Sequence, residues 1–220
     1  MSIERADPTV SLPGERARPT RILLLRHGAA EGAREGRFFG RTDVGLLPEG
    51  EAQVRGAAPR LARWLREGGA VRVYASPLLR ARRSAELLCE SLSLPGPPEA
   101  VEGLSELDLG AWEGETHASL QAREPERLRA HYADFVRSRP PGGESLEDLA
   151  RRVGPAMAGI RARAAGGEAL VVAHAGVNRV ILCDALGAPL ERFFRIEQDF
   201  AALNVIDFFG EVPLVRLMNG

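Results

Sequence analysis

The sequence contains no lysine: all 29 basic residues are arginine. An arginine therefore says nothing by its presence and must be judged by its position. Cysteine is nearly absent as well. Cys89 and Cys183 lie far apart inside apolar helical patterns, with no CxxC pair and no Cys/His cluster. That spacing excludes a recognisable zinc site or disulfide framework and predicts buried free thiols in a reducing compartment. Long apolar runs are missing too; no stretch approaches the ~18 residues of a membrane-spanning helix. Neither sign of charge is in excess, the net charge being −1, so the bulk electrostatics offer nothing to nucleic acid or an anionic membrane. Met1–Thr20 has three prolines and alternating charge but no apolar core of a signal peptide, which predicts a loose tail. The chain reads as soluble and cytoplasmic, and is compatible with a homodimer.

What is present is an ordinary globular composition, with 45% hydrophobic and 27% charged residues in a chain of 220. That length and composition fit one large domain over residues 21–220 with a substantial core. Two continuous apolar runs, Ile22–Leu25 and Ala169–Ala173, have the character of buried parallel strands. Val71–Ala75 is a third, partly alternating one. Between them Val54, Ala58, Leu61 and Leu65 form one apolar helical stripe, which Pro59 should kink or restart. Leu78, Ala81, Ala85, Leu88 and Leu92 form another. There Ser76 suits the N-cap and Pro77 the first helical position. A third helix should begin at Ser145, capped by SLED, and run to Ile160 with a bend at Pro155. A fourth is expected over Val177–Leu186. Asn204–Phe208 and Val212–Met218 flank Phe209-Gly210-Glu211, the pattern of a hairpin at a sheet edge, where Pro213 is tolerated. This alternation predicts a three-layer α/β/α sandwich with a mainly parallel central sheet. The polar stretch Glu113–Pro141 reads as an insertion over one end of the sheet.

In open parallel sheets ligands bind beyond the carboxyl ends of the strands. The first strand ends in Arg26-His27-Gly28 and the strand ALVVA in His174-Ala175-Gly176. The strand VRVYA ends in Ser76-Pro77, with Arg80 close behind. Two of the four histidines in the chain thus stand at one sheet edge, with Arg26 and Arg80 beside them. Arg80 falls in the first turn of a helix, where the dipole disfavours a cation unless an anion is near. Two imidazoles and two guanidinium forks suit a phosphoryl group. Arginine grips phosphate oxygens, a neutral imidazole attacks phosphorus, and a second imidazole, if protonated, stabilises charge on the equatorial oxygens. A proton donor for the leaving oxygen is still needed. Glu106, Asp108 and Glu113 are all candidates, and spacing does not choose among them. His117 and His131 read as surface residues.

The motifs RHG at 26–28, YASPLLRARRSAE at 74–86, LSELDLGAWEG at 104–114, PGGES at 141–145 and VVAHAGV at 171–177 occur in a family order. With GRFFGRTDVGLLPEG at 36–50, the chain resembles the histidine phosphatase (phosphoglycerate mutase-like) superfamily over roughly residues 21–210. The resemblance implies a phosphohistidine intermediate, no cofactor or metal, and a small-molecule phosphate ester as substrate. It makes His27 the nucleophile and Glu106 the proton donor. Arg26, Arg80 and His174 become the phosphate pocket, joined by Arg37 or Arg41. It also makes a phosphomonoester hydrolase the leading expectation, with an α-ribazole phosphatase-like subtype. A phosphoglycerate mutase and a silent phospho-ligand-binding module are the alternatives. Ala30 and Ala33 stand where the family often has threonine and asparagine, and Ser105 where an arginine commonly precedes the glutamate. Specificity is expected from Glu113–Pro141 and the loop Ala29–Leu47.

Overall fold

In the computed structural model, which describes residues 18–220, the run Ile22–Leu25 lies within strand β1, Thr20–Arg26. Its side chains alternate between two cores. Ile22 and Leu24 belong to one apolar cluster and Leu23 and Leu25 to the other. A strand buried on both faces has no use for a polar residue, which explains the unbroken run. The same holds for the strand at Glu168–Ala173, where Ala169, Val171 and Ala173 face one core and Leu170 and Val172 the other.

In chain order the elements are β1, α1 (Pro48–Ala62), β2 (Val71–Ala75), α2 (Leu79–Leu92), β3 (Glu99–Ala100), α3 (His117–Arg123) and α4 (Pro125–Ala133). Then come α5 (Leu146–Arg163), β4 (Glu168–Ala173), α6 (Ala175–Ala185), β5 (Leu203–Phe209) and β6 (Val212–Leu217). The six-stranded sheet has the order β3-β2-β4-β1-β5-β6. β1 to β4 run parallel, and β5 and β6 add an antiparallel hairpin at one edge. Helices α1 and α2 cover one face through Val54, Ala58, Leu61, Ala85 and Leu88. Helices α5 and α6 cover the other through Leu149, Val153, Met157 and Val180. The three-layer α/β/α architecture expected from the alternation is present, edge hairpin included.

Several boundaries differ from the sequence reading. The N-cap of α2 is Leu78, not Ser76, and α2 begins at Leu79. Ser76 is wholly buried and its hydroxyl bonds His174 instead. Neither internal proline restarts its helix: α1 continues through Pro59 and α5 through Pro155. Both prolines lie on exposed positions, where water can satisfy the carbonyl each leaves free. Leu65 falls beyond α1, and α6 starts two residues before Val177. The start of α5 is as expected, with Ser145 and Asp148 in a reciprocal capping box. Cys89 and Cys183 are buried free thiols. The segment 113–141 contributes α3 and α4, and with Trp112, Leu120 and Leu128 makes a small core of its own. Most of the expected tail, residues 1–17, lies outside the described residues.

Candidate active site

Strand register brings the chemistry together. Arg26 pairs with Ala173 and Ala75 with Val172, so β1, β4 and β2 end level with one another. The next residues are His27, His174 and Ser76. Backbone bonds continue the ladder past the strand ends, from His27 N–H to Ala173 O (3.0 Å) and from Ser76 N–H to Val172 O (3.0 Å). The His27 and His174 rings meet edge to face with centroids 5.0 Å apart.

The tautomer of His27 follows from its partner. Nδ1 lies 2.7 Å from Gly28 O, and a carbonyl only accepts, so Nδ1 carries the proton and Nε2 keeps its lone pair. Burial, reinforced by the Arg80 and Arg26 charges, holds this imidazole well below its usual range. Gly28 has no room for a side chain, because a Cβ there would collide with the backbone of Gly50.

His174 is fully buried and bonds Ser76 Oγ through Nε2 at 2.7 Å. Its Nδ1 has no partner. Burial, then Arg80, His27 and Arg26, keep this ring neutral as well. That differs from the protonated second imidazole considered from the sequence. Ser76 Oγ also accepts from Leu78 N–H; where it turns its own hydrogen to His174 Nε2, the ring carries its N–H on Nδ1.

A small cavity of about 90 Å³ lies over His27, walled by Arg26, Arg37, Arg80, Glu31, Glu106 and Phe200 among others. His174 stands behind His27, off the cavity wall. Ala30 and Ala33 line the cavity, so apolar carbons stand where the family often offers polar groups. Arg80 is almost completely buried and donates to Gly40 O (2.6 Å) and Thr42 O (2.8 Å). Burial lowers the basicity of its guanidinium and of that of Arg26, which falls to about 10. Two desolvated cations beside one cavity prepare a site for an anion.

The three carboxylates separate by environment. Glu106 reaches the cavity wall and accepts from Leu107 N–H (2.8 Å) and Gly176 N–H (2.9 Å). A Cβ on Gly176, the second residue of α6, would collide with the Glu106 carboxylate and have to displace it. Glu113 instead anchors the loop that holds Arg80. It accepts from Arg41 N–H (2.8 Å), Thr42 Oγ1 (2.7 Å) and the N–H groups of Gly40, Thr42 and Leu109. Burial opposes its ionisation, but these donors outweigh it and the carboxyl stays below its usual range. Asp108 accepts from Gly110 N–H and stays off both cavity walls.

Arg37 and Arg41 also part company. Both are exposed, but Arg37 lies on the cavity wall while Arg41 pairs with Glu144 at 2.9 Å. A second cavity of about 300 Å³ shares Arg37, Phe39, Glu106 and Ala175 with the first. Its walls are mainly apolar and aromatic, with Trp112, Tyr132, Phe135 and Phe194 among them. The segment 113–141 and the loop 29–47 pair across it, Phe38 N–H donating to Glu115 O at 2.8 Å. His117 is exposed, as expected, but His131 is half-buried against Trp112 and lines this cavity.

The superfamily profile of histidine phosphatases, branch 1, matches residues 22–220. The chain belongs to that superfamily. The "Bifunctional protein Rv2228c" of Mycobacterium tuberculosis is 39% identical over 207 residues, 94% of this chain but 55% of that protein. The chain thus spans about half the length of these mycobacterial relatives. The adenosylcobalamin/alpha-ribazole phosphatase of Salmonella typhimurium is 28% identical over 89% of this chain and 96% of its own length. Among solved structures, the mycobacterial glucosyl-3-phosphoglycerate phosphatase Rv2419c in complex with VO3 has a TM-score of 0.78 at 25% identity. The match covers 91% of this chain and 98% of that one. The alpha-ribazole phosphatase of Shigella flexneri shares the fold, with a TM-score of 0.80 at 24% identity over 91% and 96%.

Sequence reasoning missed two contributors, Phe200 and Arg152, and gave Ser76 and Glu113 other roles. All four act through contacts between distant segments. Arg152 donates to the carbonyls of Gly103, Ser105 and Glu106, clamping the stretch that presents Glu106. On its own helix it reads as one more surface arginine.

Proposed function

We propose that this histidine phosphatase hydrolyses a small phosphomonoester through a phosphohistidine on His27. The observation that carries the reading is a strand-edge cavity lined together by His27, Arg26, Arg80 and Glu106. Arg26, Arg80 and Arg37 hold the phosphoryl oxygens, and His174 backs the nucleophile with its ring edge to face against His27. His27 Nε2 attacks phosphorus as the bond to the ester oxygen breaks, and Glu106 gives that oxygen its proton. Water then attacks the phosphohistidine, Glu106 takes its proton, and phosphate leaves with His27 restored.

The adjoining aromatic cavity supports a planar, largely apolar alcohol as leaving group, and hydrolysis of the alpha-ribazole phosphatase type is the subtype we favour. The test is a panel of phosphate esters with EDTA present, scored for phosphate release and, with phosphoglycerate, for isomerisation. Phosphate release that EDTA does not slow supports the reading. Isomerisation without release makes the protein a mutase, and no turnover of any ester leaves a binding module.

A further inference from the structure

Arg26 is a half-buried cation with no carboxylate in contact. It forms no ion pair among the described residues; Nη1 donates to Gln198 O at 2.6 Å, and the buried Nε has no partner. What fixes its plane is an aromatic face: Arg26 Cζ lies 3.8 Å from the centroid of the Phe200 ring, which also comes within 5.8 Å of His27.

Phe200 does not sit there by its own packing. The segment 198–202 turns over the end of β1, with Ala201 N–H donating to His27 O (3.1 Å) and Arg26 N–H to Ala202 O (3.0 Å). The turn needs a left-handed alanine, Ala201 at φ 56°, a conformation costing a side chain about 1 kcal/mol or more. Asn219 holds it in place. Its Oδ1 accepts from Asp199 N–H (2.7 Å), its Nδ2 donates to Asp199 Oδ2 (2.9 Å), and its own N–H donates to Asn204 Oδ1 (3.0 Å). Gln198 Nε2 donates to the same Asn204 oxygen at 2.8 Å. The residues just past β6 therefore reach the cavity over His27 through one turn and one ring.

We propose that Phe200, held by the Asn219–Asp199 clamp, is the positioning residue for Arg26, its ring face fixing the guanidinium for an incoming phosphoryl group. The inference rests on the phosphatase reading above. A guanidinium on an aromatic face keeps its plane without spending its edge donors. Nη2 thus remains for a ligand, in an orientation set before binding. An aspartate or glutamate in the same place would fix the arginine equally well but would repel the substrate.

The test measures affinity for inorganic phosphate by calorimetry, with thermal midpoints alongside. Phe200→Leu keeps apolar bulk and removes the ring face; it should weaken phosphate binding roughly tenfold with little change in midpoint. Phe200→Tyr should restore affinity to within about twofold of the natural chain, because the face returns. Asn219→Ala should weaken binding in the same direction and add little on top of Phe200→Leu, since both act through one contact. If Phe200→Leu binds phosphate as the natural chain does, or Phe200→Tyr is as weak as Phe200→Leu, the inference is overturned. Should Phe200→Leu fail to fold, Asn219→Ala decides, and undiminished binding there overturns it. Absence of phosphate binding by the natural chain sinks the phosphatase reading itself, a separate outcome.

Discussion

His27 and His174 stand ring against ring, 5.0 Å between centroids, because two neighbouring parallel strands end level with one another. Backbone register, not side-chain attraction, makes the pair. Both rings are buried and neutral beside two guanidinium groups.

The first consequence concerns the nucleophile. His27→Ala should abolish covalent labelling by a phosphorylated substrate and lower kcat by roughly a thousandfold or more. Trapping of acid-labile phosphoprotein, together with para-nitrophenyl phosphate turnover, measures both. Wild-type turnover in that variant would remove His27 from the mechanism.

Glu106→Gln keeps the hydrogen bond from Gly176 N–H but cannot give up a proton. It should cost roughly 10²–10⁴ in kcat with alkyl phosphates. The loss should be much smaller with para-nitrophenyl phosphate, whose leaving oxygen needs little protonation. Equal losses on both substrates would rule out proton donation as the role of Glu106.

Gly176→Ala tests the same carboxylate from the other side. The new methyl would push the Glu106 carboxylate off the α6 N-terminus, so kcat should fall in proportion to the Glu106→Gln loss across the same substrates. A crystal structure of the variant should show Glu106 displaced; an unmoved carboxylate with full activity would refute the close approach.

Arg80→Lys removes a fork that bridges Gly40 O and Thr42 O. An ammonium gathers its donors on one nitrogen and cannot span both carbonyls in the planar geometry that also meets phosphate. KM should rise by roughly tenfold or more, with a smaller change in kcat. Unchanged steady-state kinetics would place Arg80 outside the phosphate pocket.

Stability should also depend on pH in a defined window. The folded pKa values of His27 and His174 lie well below the usual imidazole range. Below pH ~6.5 the unfolded chain therefore binds protons that the folded chain refuses. Stability is full above that pH and falls as acid is added, by up to about 1.4 kcal/mol per pH unit for each imidazole. Thermal midpoints between pH 7 and 5 should drop, and His27→Gln should flatten the slope. A slope unchanged by that substitution would show His27 to be accessible to protons in the folded state.

Much of this was legible in one dimension. The runs Ile22–Leu25 and Ala169–Ala173 announce strands buried on both sides, and the Ser145 capping box announces a helix start. Residues that follow buried strands inherit the strand edge as a location, which is why Arg26, His27 and His174 could be named together. The misjudged residues have partners far away in sequence. Ser76 looks like a helix cap because the nearest helix is local, yet its hydroxyl goes to His174. Arg37 and Arg41 look alike until Glu144 takes one of them.

The sequence by itself determined the layers, the strand edge and the residue types gathered there, since hydrophobic period and strand termination are local properties of the chain. Tertiary structure decided which carboxylate reaches the cavity, which arginine lines it, and what holds Arg26 in place. Those outcomes depend on contacts closed only when the loop 29–47, the segment 113–141 and the turn at Phe200 pack over the sheet, and no local pattern encodes such distances.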